Sequence, residues 1–215
     1  MSPPASFNAP GFSFLLLDDP AVDFFLTALG KQGAPPMVRE KVRLGGGFLV
    51  HHFKNPGTVV DYFKGIDLSR DVKVVPLDPG QVVTTRFAGG LGNWFSKSGV
   101  ATQQVGLSSA GRQYKTFHVT RRTYALESRS AATVDTWTQG RTMQTNMPRA
   151  ATPNIPQSLI GGVRSPGTAM QQRINASVGL GKRGPIATAG EFVSGGGIQY
   201  VVPEARGALQ EIVRP

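Results

Sequence analysis

The sequence predicts an α+β fold, with helices gathered towards the N-terminus and strands filling most of the remaining chain. Two observations carry this expectation. Residues 18–33, DDPAVDFFLTALGKQG, bear helix punctuation at both ends. From Val72 onward, runs rich in β-branched and aromatic residues alternate with glycine-rich turns.

Taken in order, residues 1–10 are small and proline-containing, and are expected to fray. The apolar run at 12–17 is too short to span a bilayer, lacks a basic segment before it and stops at Asp18 and Asp19. Neither a transmembrane helix nor a cleavable signal peptide is expected, and no membrane insertion. Asp18 and Asp19 are candidate caps for the first helix, Pro20 suits its first turn, Ala21, Phe24, Phe25, Ala28 and Leu29 form its apolar stripe, and Gly30 stops it. The segment KVRLGGGFLVHHF reads as two short strands around Gly45 to Gly47, with His51 and His52 on opposite sides of a strand. PGTVVDYFKG reads as a second short helix ended by Gly65. Residues 1–57 thus make an N-terminal helical/β extension or subdomain, and residues 58–215 the main domain.

The later strands are expected in VKVVPL, QVVTTRFA, KTFHVTRRTYAL and IQYVV, with a short helix at TVDTWTQG. The stretch 141–194 differs from its surroundings. It has no aromatic residue before Phe192, and six basic residues (Arg141, Arg149, Arg164, Arg173, Lys182, Arg183) against the single acid Glu191. A long, loosely packed basic insertion is expected there.

Composition excludes several function classes. The 215 residues contain no cysteine, so disulfides, thiolate–zinc sites and a cysteine nucleophile are ruled out. Three histidines without a spaced carboxylate motif match no metal site, and no metal is expected. GLGKRG, at 179–184, lacks the upstream glycine and the Ser/Thr of a phosphate loop, and no G-x-S-x-G elbow is present. The net charge of +10 is mostly C-terminal: residues 1–100 hold 10 Lys/Arg against 8 Asp/Glu, and residues 101–215 hold 13 against 5. Such an excess suits an anionic partner, although the cations are scattered singly.

Two segments carry the candidate chemistry. In TTRFAGGLGNWFSKSG, Arg86 precedes a glycine turn containing Gly89 and Gly90, and Trp94 and Phe95 come after it. An arginine beside glycines suits a pyrophosphate, because guanidinium makes paired charge-assisted bonds and glycine lets backbone N–H groups approach. The aromatic pair offers a flat face to a planar cationic ring. In SGGGIQYVVPE, three glycines run into a strand whose second residue is Gln199. Glycine permits positive φ and close approach at an entropic cost, so the triplet calls for a reason.

Together, the strand Arg86, GNWFS, ATVDTWTQGRTMQT and GGGIQY resemble the C-terminal domains of bacterial polymorphic toxins, including Rhs-type ADP-ribosyltransferases. They are also similar to the NAD glycohydrolases of the tuberculosis necrotizing toxin group. The resemblance covers roughly residues 58–215 without the basic insertion. It implies an ADP-ribosyltransferase-like split β-sandwich with few short helices, and NAD as substrate in the cleft. By this resemblance Arg86 holds the cofactor phosphates and Gln199 reaches the ribose next to nicotinamide. Trp94 lines the nicotinamide pocket where related toxins carry tyrosine, and His118 lies where the necrotizing toxins have a functional histidine. Phe87, Gly89, Gly90, Phe95 and Gly197 complete the expected NAD contacts.

The implied chemistry is scission of the nicotinamide–ribose bond through an oxocarbenium-like transition state. Nicotinamide leaves as a neutral group, so the protein has to hold the dinucleotide bent and stabilise positive charge on the ribose. Glu204, the nearest acid after Gln199, is the reserve for orienting an acceptor. The leading expectation is a mono-ADP-ribosyltransferase toxin acting on a protein or RNA in the target-cell cytoplasm, delivered without a signal peptide and neutralised by a cognate immunity protein. The alternatives are an NAD glycohydrolase, and a non-enzymatic basic module whose salt-sensitive polyanion binding survives loss of Arg86 and Gln199.

Overall fold

The computed structural model describes residues 5–87, 92–107, 113–135 and 191–213. The basic stretch therefore lies outside the described residues as far as 190, as do GLGKRG, Gly89 and Gly90. Of residues 1–10, expected to fray, 1–4 lie outside the described residues and the rest enter a hairpin, β1 (Ser6–Ala9) and β2 (Phe12–Leu15). Its Phe7, Phe12 and Phe14 rings meet one another and the side of a helix, which gives the apolar run at 12–17 a strand's role.

Helix α1 (Asp19–Ala28) forms next, as the punctuation predicts. The Asp18 carboxylate accepts from Ala21 N at 3.0 Å, and Gly30 leaves the helix with φ 65°. The next element departs from expectation: residues predicted as two strands form one 17-residue helix, α2 (Pro36–His52). The reason lies in packing. A Cβ on Gly46 would stand 2.3 Å from Leu17 Cδ1, and one on Gly47 2.5 Å from Leu15 O. These glycines let the helix lie against the chain leaving β2 rather than turning a hairpin. His51 and His52 therefore sit in the last helical turn. Helix α3 (Pro56–Lys64) is capped by the Asn55 side chain and closes at Gly65, as expected.

The strands β3 (Val72–Leu77), β4 (Val82–Phe87), β5 (Trp94–Lys97), β6 (Gln113–Val119), β7 (Thr123–Arg129), β10 (Ile198–Val201) and β11 (Leu209–Glu211) make one antiparallel sheet, in the order β11-β6-β4-β5-β10-β7-β3. KTFHVTRRTYAL divides into β6 and β7. TVD, expected to begin a helix, is instead strand β8 (Thr133–Asp135), paired with β9 (Glu191–Val193) in a separate two-stranded sheet. A 3-10 turn (Gln103–Val105) comes after β5, and a short helix α4 (Ala205–Ala208) precedes β11. The architecture is α+β, as the sequence predicts.

One core forms where α1, α2 and α3 pack on the sheet, joining Val22, Phe25, Val42, Phe48 and Phe63 to Val72, Leu126 and Val201. A second core, around Phe95, Phe117, Tyr200 and Ala205, lies on the other face. Among the described residues, no helix is long and apolar enough to cross a membrane.

Candidate active site

Register places the candidate residues. Gln199 stands opposite Ser96 on one side and Ser128 on the other, Ser96 opposite Thr84, and Thr84 opposite Thr116. Residues opposite one another share a face, so a row of five polar side chains crosses the middle of the sheet. Ser128, Gln199 and Ser96 are each 2 % exposed and Thr84 0 %, where apolar side chains are the rule. Thr84 Oγ1 and Ser96 Oγ lie 2.9 Å apart, and Gln199 Nε2 donates to Ser128 Oγ at 3.4 Å.

Arg86 and Trp94 join this face, because each lies two residues from a member of the row. Arg86 is half-buried, and its guanidinium is held on three sides. Nη1 donates to Ser96 Oγ at 2.7 Å, Nε to Thr102 Oγ1 at 2.9 Å, and Nη2 to Val100 O. Its carbon lies 4.9 Å from the centroid of the Tyr114 ring. Burial draws its pKa below the ordinary arginine value. All three hydrogen-bond partners are neutral, and no carboxylate pairs with Arg86 among the described residues. Among the described residues, two of its five N–H groups have no acceptor and its charge is uncompensated. A partly buried guanidinium fixed by neutral acceptors is suited to an incoming anion.

Gln199 points away from that guanidinium, towards the end of α3, where Nε2 donates to Gly65 O at 2.7 Å. Trp94 is partly buried, and its ring lies 5.5 Å from that of Tyr62, which stacks on Phe53 at 4.8 Å. Asn93 Nδ2 in turn donates to Tyr62 Oη at 2.7 Å. An aromatic wall thus borders the middle of the row, at the start of β5.

Other expected residues are not brought here. Phe95 faces the opposite side, 3 % exposed and edge-on to Phe117 at 5.7 Å, because strand alternation sends neighbours of Trp94 the other way. His118 shares the face by parity, two residues from Thr116, but lies opposite Val82 and Gln210, four residues along β6 from Tyr114, the partner of Arg86. At ~3.4 Å per residue that is about 14 Å of strand. Glu204 is at the start of α4, ion-paired with Arg121 at 3.4 Å, beyond the end of β10. Phe87 ends β4 beside Arg86, while Gly89 and Gly90 are outside the described residues.

The glycine triplet has a different neighbour from the one expected. Gly195 N donates to Gln103 O at 3.2 Å and Gly197 N to Gln104 O at 2.7 Å. A Cβ on Gly197 would stand 2.7 Å from Gln104 O and 2.7 Å from Val100 Cγ1. The close approach permitted by glycine is therefore taken by the chain's own turn at 100–104. Sequence reasoning missed Ser96 and Thr102, since a lone hydroxyl on a strand or in a turn carries no signal until the fold brings an arginine to it.

A cleft of about 1350 Å³ opens beside the row, bordered by Asp67, Arg70, Ser128, Ser130, Gly196 and Ile198. It meets the candidate residues at Ser128, the acceptor for Gln199. Among the described residues no cluster of His, Asp or Glu could hold a metal ion.

No family model matches the chain, and no curated protein matches it in sequence. Among solved structures, the chain is similar to Tse6 in its complex with Tsi6, at 15% identity and a TM-score of 0.51, over 84% of this chain and 99% of that one. A weaker likeness, at 13% identity and a TM-score of 0.36, is to Rhs1-CT in complex with its cognate immunity protein RhsI1, over 70% of this chain and 82% of that one. The first likeness shows that the two chains share a fold.

Proposed function

We propose that this chain is an NAD-cleaving toxin domain that breaks the nicotinamide–ribose bond, with a cognate immunity protein as its partner. The observation that carries the reading is Arg86: a half-buried cation, held in place by neutral acceptors and lacking a carboxylate partner among the described residues, on the same sheet face as Gln199. The fold shared with Tse6 supports it. In this reading Arg86 binds a phosphate of NAD, Trp94 and Tyr62 border the planar ring, and Gln199 is nearest the scissile ribose. No role is proposed for His118 or Phe95.

Because Glu204 is ion-paired with Arg121, we take water as the preferred acceptor, with glycohydrolase as the first reading and transfer to a protein or RNA as the second. Glu204, the acid reserved for an acceptor, is engaged by Arg121 beyond the end of β10. Transfer would need another group to activate the acceptor nucleophile.

Labelled NAD incubated with the purified chain, with and without bacterial lysate, tests both. Release of nicotinamide without lysate supports the glycohydrolase, and label appearing in one macromolecule supports the transferase. Arg86→Ala should raise KM for NAD, and Gln199→Ala should lower kcat about 10- to 1000-fold. No release under either condition removes the NAD reading.

A further inference from the structure

Residues 100–104 touch both halves of the candidate site. From one side, Thr102 Oγ1 and Val100 O accept two of the three hydrogen bonds that orient Arg86. From the other, Gln103 O and Gln104 O accept from Gly195 N and Gly197 N, in the loop that leads into Gln199. The turn is internally fixed: Gln104 Oε1 accepts from Ala101 N at 2.9 Å, and Gln104 N donates to Ala101 O at 3.1 Å. It is bounded by Gly99 and Gly106, with φ of 85° and 71°, so its direction is set by two residues in the left-handed region.

We propose that the turn at 100–104 is a brace that sets Arg86 relative to Gln199, with Thr102 as its positioning residue. The inference rests on the NAD reading for its functional consequence. Arg86 is the next-to-last residue of β4 (Val82–Phe87), and its backbone alone does not aim the long side chain. Nε is the guanidinium nitrogen nearest the stem, and fixing it fixes the plane of the fork. With Nε on Thr102, Nη1 on Ser96 and Nη2 on Val100, all three nitrogens of the guanidinium are tied, and one further N–H group remains on each of Nη1 and Nη2. Charged N–H donors on a guanidinium held in one plane suit an oxygen anion. Without the Thr102 oxygen, the guanidinium can rotate about its stem, and anion binding weakens before the chemical step is affected.

The test compares the whole purified chain with Thr102→Val, Thr102→Ser and Arg86→Ala. Two quantities are read: KM and kcat for NAD cleavage, and hydrogen exchange of the Arg86 Nε–H by NMR. Thr102→Val keeps the side-chain shape without the acceptor, and should raise KM about tenfold with kcat within about twofold. Thr102→Ser keeps the acceptor and should behave as the parent. The Arg86 Nε–H should exchange about tenfold faster in Thr102→Val alone. Unchanged KM in Thr102→Val, alongside a raised KM in Arg86→Ala, overturns the brace. If Arg86→Ala leaves KM unchanged, the NAD reading falls instead, and the exchange rate decides the brace by itself: faster in Thr102→Val supports it, unchanged overturns it. If Thr102→Val does not fold, Thr102→Ala is read in the same way.

Discussion

The Gln199 carboxamide donates to Gly65 O, a carbonyl that also accepts from Ala131 N at 3.1 Å. Gln199 is therefore a structural tie between β10 and the end of α3 as well as a candidate for the chemistry. Gln199→Ala removes a buried donor and should cost about 1–3 kcal/mol in denaturant unfolding, beyond any loss of turnover. Its kcat is meaningful only at temperatures where the variant stays folded. His52 offers a second residue-scale prediction. It packs against Phe48 at 4.9 Å and Phe12 at 5.8 Å, and its Nε2 has no hydrogen-bond partner among the described residues. Burial, with a smaller contribution from His51, lowers its pKa from 6.5 to about 4, while Glu204 opposes the shift. A depressed histidine is neutral when folded, and the unfolded chain takes up its proton first as pH falls. The stability contribution is therefore full above about 6.5 and is lost between there and about 4. Allowing for partial solvent access, the loss is on the order of 1–2 kcal/mol. Melting temperatures at pH 7 and pH 4.5 should differ less in His52→Phe than in the parent; an equal difference would place the acid sensitivity elsewhere.

At the scale of elements, α2 separates what was legible in the sequence from what was not. Glycine has low intrinsic helix propensity, and three in a row read as a turn. The reason they sit in a helix is tertiary: the chain between β2 and α1 crosses that face at backbone distance. Nothing local in the sequence announces that crossing. By contrast, α1, α3, β3 and the start of β10 were legible because their caps and alternation are local. Gly47 and Gly45 make the distinction measurable. Alanine gains about 1 kcal/mol over glycine in a helix interior. At Gly47 its Cβ would meet the Leu15 carbonyl at 2.5 Å, and the clash should outweigh that gain, leaving Gly47→Ala destabilised by about 1–3 kcal/mol. At Gly45 the nearest atoms are Phe63 Cε1 and Val72 Cγ1, both at 3.4 Å, and Gly45→Ala should be neutral or stabilising. Chemical denaturation of the two variants reads the difference directly. The candidate site divides in the same way: Arg86, Trp94 and Gln199 share a face by strand parity, which sequence can supply. Ser96 and Thr102 become partners of Arg86 only through the order β4-β5 and the turn after it.

Across the whole molecule, the seven-stranded sheet has a core on each face, and the face bearing Arg86 and Gln199 is also the one covered by the N-terminal helices. Residues 1–57 supply Phe14, Val22, Phe25, Leu26, Val42, Phe48 and Leu49 to the core that includes Val72, Leu126 and Val201. Burying each such side chain is worth roughly 1.5–3 kcal/mol, so the set contributes roughly 10–20 kcal/mol before conformational entropy is subtracted. A whole domain is stable by only about 5–15 kcal/mol. Residues 58–215 alone would leave the sheet side of that core exposed, and the tie from Gln199 to Gly65 would rest on an α3 that has lost its Asn55 cap and first two residues, without α1 and α2 beside it. We therefore expect the full chain to melt in one transition and the 58–215 fragment to lack a cooperative transition and to release no nicotinamide. A fragment that melts cooperatively and retains NAD cleavage would show that residues 1–57 are an appendage, and would move the structural support of the candidate site wholly into the sheet and α3.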